Sequence, residues 1–197
     1  TFINAITFSD KTMYPIASRN EKDFFNLMDV YLDAVFYPKI YEVPEIFMQE
    51  GWHHELQNKN DKITYKGVVY NEMRGAYSSP ERVLSEKIDK SLYPDTCYQY
   101  SSGGNPDIIP ELTYEGFLNF HKKFYHPSNS YIYLYGNGCI EKQLEFIDKN
   151  YLSNFDKTQI DSSIKMQQPF EKMNELECYY PISNDESDEN RTYISLN

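Results

Sequence analysis

Glu72 is the residue of this sequence whose chemistry is hardest to explain by packing alone. At about 100° per residue, residues 65–78 predict an amphipathic helix with a polar and an apolar side. Glu72 falls in the middle of the apolar side, between Val68 one turn before it and Ala76 one turn after it. The remaining apolar members are Tyr65, Val69 and Met73, and the polar side holds Lys66, Tyr70, Asn71, Arg74 and Ser78. Because burying an unpaired carboxylate is costly, we expect Glu72 to be protonated, ion-paired or bound to a metal.

No second motif completes a metal or nucleophile site. The histidines are His53, His54, His121 and His126. None of them belongs to an H-x-x-E-H, H-E-x-x-H or H-x-x-x-H pair, and no G-x-S-x-G, P-loop or G-x-G-x-x-G motif occurs. His53 and His54 are adjacent on a predicted strand, so their side chains are expected on opposite faces. Gly103-Gly104 could bring backbone N–H groups close to a ligand, but a tight loop explains it as well.

Composition narrows the class of protein. A chain of 197 residues is long enough for one domain with a sizeable core. Its net charge of −11 disfavours nucleic acid as a partner, because a phosphate backbone requires a basic surface. Its three cysteines are widely spaced, which favours a reducing compartment over a disulfide-bonded domain. No apolar run of membrane-spanning length occurs, so we predict no membrane segment.

The periodicity of apolar residues predicts helices mixed with strands. Residues 1–8 and 12–18 alternate as two strands of a hairpin. Further strands are predicted at residues 51–56, 130–135, 177–180 and 192–196. Helices are predicted at residues 21–37, 44–49, 65–78, 79–92, 113–125 and 140–152. Because strands and helices do not alternate strictly, we predict an α+β fold with a largely antiparallel sheet packed with helices.

Several segments, in the same order, resemble one family of zinc peptidases. Residues 67–75 (GVVYNEMRG) are similar to a stretch of the presequence protease and falcilysin branch of the inverted-zincin (pitrilysin and insulinase) peptidases. Five further segments resemble the same branch, namely residues 1–7 (TFINAIT), 30–38 (VYLDAVFYP), 49–52 (QEGW), 102–106 (SGGNP) and 125–129 (YHPSN). The resemblance implies a mitochondrial-processing-peptidase-like metallohydrolase domain over residues 1–197, from the N-terminal half of the enzyme and incomplete at its N-terminus.

The resemblance also implies roles for particular residues. In this family, zinc is held by two histidines of an H-x-x-E-H helix and by a glutamate on a later helix, while the motif glutamate activates the zinc-bound water. Glu72 is then the third ligand of one zinc ion. The motif with its catalytic glutamate is expected upstream of Thr1, which leaves no catalytic residue in this chain. More distant members carry a further glutamate where Tyr65 stands, which agrees with the presequence protease branch.

By the same resemblance, Asn4 and Ala5 lie on a strand whose free edge pairs with an extended peptide substrate. From the residues alone, Asn4 is explained as a strand residue that bonds to its neighbours. We therefore expect part of a zinc endopeptidase that degrades short unstructured peptides, such as cleaved targeting sequences, in a chamber between two halves of one polypeptide. The chain alone is expected to be inactive.

The expected partners are unstructured peptides and the remainder of the same polypeptide, with neither nucleic acid nor membrane. The expected location is a mitochondrion or plastid-type organelle, or a digestive vacuole if the protein is falcilysin-like. Two other interpretations stay open. One is a non-catalytic assembly subunit of the same fold, and the other is a free-standing peptide-binding module that uses the first strand.

Overall fold

A computed structural model describes all residues from 1 to 197 and contains five α-helices and six short strands. The helices are α1 (Glu21–Phe36), α2 (Val68–Ala76), α3 (Pro80–Leu92), α4 (Tyr114–Phe124) and α5 (Ile140–Asn150). The strands are β1 (Phe2–Ile3), β2 (Ile6–Thr7), β3 (Thr12–Met13), β4 (Ile16–Ala17), β5 (His53–Glu55) and β6 (Thr64–Lys66). Single helical turns lie at Lys39–Tyr41, Phe47–Gly51, Cys97–Gln99, Ile109–Glu111, Pro127–Asn129 and Leu152–Asn154. None of the helices has the length and apolar character needed to cross a bilayer.

The strands pair two by two. β1 pairs with β4 in antiparallel orientation, with Phe2 opposite Ala17, and β5 pairs with β6 in the same way, with His53 opposite Lys66. β2 and β3 form the third ladder. The α+β prediction with antiparallel pairing is therefore confirmed, as three small ladders. The predicted hairpin of residues 1–18 is also present, but its first strand is interrupted at Asn4 and Ala5.

Capping side chains set the starts of three helices where the sequence predicts them. Asn20 Oδ1 accepts a hydrogen bond from the Asp23 N–H at 3.0 Å, at the start of α1. Ser79 caps α3 in the same way, and Thr113 Oγ1 accepts from the Gly116 N–H at 3.1 Å before α4. Each cap satisfies an N–H group that has no partner within its helix, so these boundaries follow from local chemistry.

The helix α2 begins later than predicted. Residues 64–66 pair with β5 as a strand, and Gly67 then turns the chain into the helix with φ of +145°. A Cβ atom at this position would lie 2.1 Å from the Gly51 carbonyl oxygen and 2.7 Å from the Trp52 Cα. Only glycine fits both the backbone conformation and this close approach, so residue 67 separates strand from helix.

Substituting Gly67 with alanine is expected to destabilise α2 by at least about 2 kcal/mol, because the strained backbone and the clash with the Gly51 backbone add together. Hydrogen exchange of the α2 amides in the full-length protein measures this loss. Gly75→Ala is the matched control, since a Cβ atom at Gly75 meets no atom within 4 Å. Equal exchange in the two variants would contradict the prediction.

Three predicted strands are absent. Residues 130–135, 177–180 and 192–196 form no ladder. In the first of these segments, Tyr131, Tyr133 and Tyr135 are between 84% and 103% exposed. A strand forms only where another segment satisfies its N–H and C=O groups, and no segment of residues 1–197 pairs with these. The alternating sequence is therefore insufficient here.

The chain divides into two compact units. The first combines residues 1–6, 12–47 and 112–163. Within it, Phe25 of α1 packs edge-on against Phe146 of α5 with ring centroids 5.3 Å apart. Beyond the end of α5, Tyr151 donates a hydrogen bond to the Asp29 carboxylate at 2.6 Å. Its buried apolar side chains are Met28, Phe36, Ile40, Ile147 and Tyr151.

The second unit combines residues 7–11, 48–111 and 164–197. Its core consists of Tyr70, Met73 and Ile109, with Trp52 and Tyr77 packed against them. α2 supplies two of the three buried residues, so the packing of this short helix decides where Glu72 projects. The assignment of residues 1–197 to one domain stays a prediction.

Candidate functional site

α2 packs through a side that is rotated from the one expected, and of the expected apolar side only Met73 is buried. Tyr70, expected on the polar side, is buried with Met73, whereas Glu72 and Ala76 are exposed. Val68 and Val69, expected to be buried, are 52% and 37% exposed. Residues two positions apart on a helix point about 200° apart, so burial of Tyr70 directs Glu72 away from this core. The expectation of a buried Glu72 is therefore wrong within these residues.

The physical reason is the amphipathic nature of tyrosine. The ring of Tyr70 packs against Tyr65 with centroids 5.9 Å apart and joins the cluster of Met73 and Ile109. A tyrosine can bury a large apolar surface while its hydroxyl remains near water. Tyr70 therefore packs in the core although it was counted as a polar residue in the predicted helix.

The side chain of Glu72 forms no hydrogen bond and no ion pair with any residue of the chain. Of the explanations that the sequence left open, the ion pair is therefore absent here. The carboxylate stands free on an exposed apolar row with Val68, Val69 and Ala76. No group of three histidine, cysteine, aspartate or glutamate side chains could hold a metal ion in residues 1–197. A glutamate carboxylate is one of the side-chain groups that can bind a zinc ion.

Three of the four histidines, His53, His54 and His126, contact nearby protein groups. His53 Nδ1 lies 2.7 Å from the Met48 carbonyl oxygen, and His54 packs against the ring of Trp52 with centroids 5.2 Å apart. His126 Nδ1 accepts a hydrogen bond from the Ser128 N–H at 3.1 Å. These contacts orient the rings without bringing them together as ligands.

His121 is a buried link in the first unit. Its Nε2 lies 2.9 Å from the Val35 carbonyl oxygen, and its Nδ1 lies 2.8 Å from the Tyr41 hydroxyl. Because a carbonyl only accepts, Nε2 carries the proton and Nδ1 accepts from Tyr41. Burial lowers the pKa of His121, while the hydrogen bond to Val35 acts in the opposite direction. The neutral ring thus joins α1, the turn after it and α4.

Asn4 and Ala5 lie in the interruption between β1 and β2, and both are exposed. The Asn4 N–H donates to the Pro15 carbonyl oxygen at 3.1 Å, which continues the hairpin ladder. The Asn4 side-chain oxygen accepts from the Ala5 N–H at 2.8 Å. Since neighbouring N–H groups of a strand point to opposite edges, the Ala5 N–H faces the unpaired edge. The Asn4 side chain is therefore hydrogen-bonded to the Ala5 N–H group, which a strand added at this edge would otherwise use.

α3 carries a row of charged residues that was not predicted from the sequence. Arg82, Glu86 and Lys90 are four residues apart and lie on one side of the helix. Glu86 is 6% exposed, and its carboxylate accepts from Lys90 Nζ at 2.8 Å and from Asn105 Nδ2 at 3.1 Å. Burial acts to raise the pKa of Glu86, but the bonds from Lys90 and Asn105 outweigh it and lower that pKa. The spacing of alternating charges was the signal in the sequence.

Two buried polar atoms near this row have no hydrogen-bond partner, namely Tyr77 Oη and Arg82 Nε. The Arg82 guanidinium carbon lies 5.8 Å from the centre of the Tyr77 ring, and the guanidinium donates to the Ser101 hydroxyl. The polar groups of α3 thus converge on the loop that starts at Ser101.

Comparison with known proteins finds one matching family model and several longer relatives. Residues 111–197 match the model described as the peptidase M16 inactive domain. The whole chain is 63% identical over 197 residues to Protein HypA of Clostridium perfringens, of which it covers 20%. It is 46% identical over 187 residues, 94% of this chain and 17% of the relative, to presequence protease 1, chloroplastic/mitochondrial, of Arabidopsis thaliana.

A third relative is the mitochondrial presequence protease of Danio rerio, which is 43% identical over 183 residues. That match covers 90% of this chain and 18% of the relative. The chain thus spans about a fifth of the length of the curated relatives it matches. The match to Protein HypA covers the whole chain, so it includes α2 and the first hairpin.

Proposed function

Because this chain belongs to the presequence protease branch of the M16 peptidase family, we propose that it is part of a zinc-dependent endopeptidase that degrades short unstructured peptides. Within it, Glu72 is one zinc ligand, and Asn4 and Ala5 form part of the edge that binds substrate. The rest of the same polypeptide supplies the other ligands and the catalytic glutamate. The 197 residues alone are inactive.

The observation that carries the proposal is the situation of Glu72. An exposed carboxylate without a partner is available as a ligand, and it stands on an apolar row that another segment could cover. A carboxylate held in an apolar, water-excluding setting binds a cation more strongly than one in bulk water. A bound zinc ion supplies a Lewis acid that makes water nucleophilic near neutral pH.

The test uses the full-length protein. We expect one zinc ion per chain, hydrolysis of an unstructured peptide that is lost with a chelator and restored by zinc, and no cleavage of a folded protein. Residues 1–197 alone should hydrolyse nothing. Zinc-dependent turnover by these residues in isolation would contradict the proposal.

A second candidate is a non-catalytic assembly subunit of the same fold. The observation that favours it is the match of residues 111–197 to a domain described as inactive. That match lies beyond α2 and does not include Glu72. A full-length protein that binds no zinc but stabilises a partner peptidase would favour this candidate.

Location in a mitochondrion or plastid-type organelle is a separate part of the proposal. The relatives named presequence protease are mitochondrial or chloroplastic, whereas the relative from Clostridium perfringens is bacterial. A related segment thus also occurs in a bacterium, which has no such organelle. Immunolocalisation in the source cell tests the organellar location independently of the peptidase activity.

The hydrogen bond between Asn4 and Ala5 predicts the effect of changing the strand edge. Asn4→Ala in the full-length protein should lower kcat/KM for an unstructured peptide roughly fivefold to tenfold, the equivalent of about one hydrogen bond. The effect stays modest because the variant also frees the Ala5 N–H, which Asn4 occupies in the free chain. Asn119→Ala, at an exposed asparagine of α4, should leave kcat/KM unchanged. An unchanged kcat/KM in Asn4→Ala would remove Asn4 from the binding edge.

A further inference from the structure

Both ends of the loop from Ser101 to Asn105 are fastened to α3. At one end, the Arg82 guanidinium donates to the Ser101 hydroxyl. At the other, Asn105 Nδ2 donates to the buried Glu86 carboxylate at 3.1 Å. Arg82 and Glu86 are one helical turn apart, so two successive turns of α3 hold the loop.

The middle of this loop presses on α2. A Cβ atom at Gly103 would lie 2.3 Å from the Met73 sulfur, which shows that the loop backbone lies directly on that side chain. Beyond the loop, the Ile109 N–H donates to the Asn105 carbonyl oxygen at 2.9 Å. Ile109 then packs with Tyr70 and Met73, the two buried residues of α2. Asn105 thus organises the backbone that contacts the buried side of α2.

We propose that Glu86 is a positioning residue for the zinc site, because through Asn105 it holds the Gly103 loop against Met73 and so fixes the direction in which Glu72 projects. The proposal rests on the proposed function, in which Glu72 is a zinc ligand. Glu86 itself does not touch the metal. It acts through the packing of a nine-residue helix that has two buried side chains.

A buried carboxylate suits this role because it is costly to leave without hydrogen-bond partners. Removing one hydrogen bond from Glu86 leaves part of a desolvated charge unsatisfied, so the Asn105 contact is kept in one geometry. Ligands must be held within about 0.5 Å and 10–20° of the productive geometry, and a short helix that is free to roll would exceed this. Glycine at position 103 lets the loop come close enough to restrain Met73.

The experiment compares variants of the full-length protein by two measurements, the zinc dissociation constant from chelator competition and the hydrogen exchange of α2 in the zinc-free protein. Glu86→Ala should weaken zinc binding by about tenfold, at the lower end of the effect of residues that support metal ligands, and should speed exchange of α2. Asn105→Ala should do the same, and the double variant should be no worse than either. Glu86→Gln, whose side-chain oxygen still accepts from Asn105, should restore most of the zinc affinity.

The control is Glu145, which also pairs with a lysine four residues later, at 3.2 Å, but has a side chain 68% exposed. Glu145→Ala should change neither measurement.

The proposal is overturned if Glu86→Ala and Asn105→Ala retain the zinc affinity and the α2 exchange of the wild type, or if Glu86→Gln fails to restore zinc affinity. Glu72→Gln in the same series separates the two proposals. If it lowers zinc affinity while Glu86→Ala does not, only the positioning role is wrong, and if it has no effect, the ligand assignment fails and the zinc role of Glu86 fails with it.

Discussion

Replacing Glu72 with glutamine in the full-length protein is expected to lower its zinc affinity by at least about a hundredfold, because loss of a ligand should exceed the 10–100-fold loss typical of its supporting groups. Glutamine keeps the shape of the side chain but removes the negative charge that attracts the cation. Hydrolysis of an unstructured peptide at limiting zinc should fall by a similar factor. Chelator competition and peptide cleavage measure the two effects.

The same substitution should leave folding nearly unchanged. The side chain of Glu72 is exposed and makes no hydrogen bond or ion pair in the chain, and substitutions at such positions usually change stability by less than about 0.5 kcal/mol. A loss of zinc without a loss of stability would therefore separate a ligand from a structural residue. Glu115→Gln, at another exposed glutamate on a helix, is the matched control and should retain zinc and activity.

Unchanged zinc affinity in Glu72→Gln would show that the carboxylate is an ordinary surface group. A large drop in stability would show instead that Glu72 packs against the remainder of the polypeptide. In the first case the ligand assignment would be wrong, and the apolar row of Val68, Val69 and Ala76 would need another explanation.

The sequence predicts the presence of α2 but not the side through which it packs. The spacing of Val68, Glu72 and Ala76 correctly indicates a row of neighbours on a helix. Periodicity reports which residues share a side, but it cannot report which side is covered when a tyrosine counted as polar is able to pack in the core. Here Tyr70 and Met73 meet Ile109, a residue more than thirty positions later in the sequence. That long-range contact decides the rotation of the helix.

Local chemistry predicts the helix starts well, because a cap such as Asn20 acts on its own helix. Strands depend on a partner, so residues 130–135 alternate correctly and still form no ladder within this chain. The hydrogen bond from Asn105 to Glu86 was not predicted for a related reason. The spacing of Arg82, Glu86 and Lys90 is visible in the sequence, but its loop partners become visible only in the fold.

Removing the buried imidazole of His121 is expected to destabilise the first unit by about 2–4 kcal/mol. His121→Leu fills much of the space but leaves the Val35 carbonyl oxygen and the Tyr41 hydroxyl without their partner. Tyr41→Phe removes only one of these bonds and should cost about 1 kcal/mol. Hydrogen exchange of α4 in the full-length protein measures both losses.

The effect of His121→Leu should depend on pH in a defined direction. Because burial lowers the pKa of His121, the unfolded chain takes up a proton below about pH 6.5 while the folded chain does not. The contribution of neutral His121 to stability is therefore complete above that pH and is lost as the pH falls below it. The difference between wild type and His121→Leu should shrink over the same range, whereas the smaller difference for Tyr41→Phe, which retains the imidazole, should change less. A difference for His121→Leu that stays constant from pH 7.5 to 5 would show that His121 titrates alike in the folded and unfolded chain.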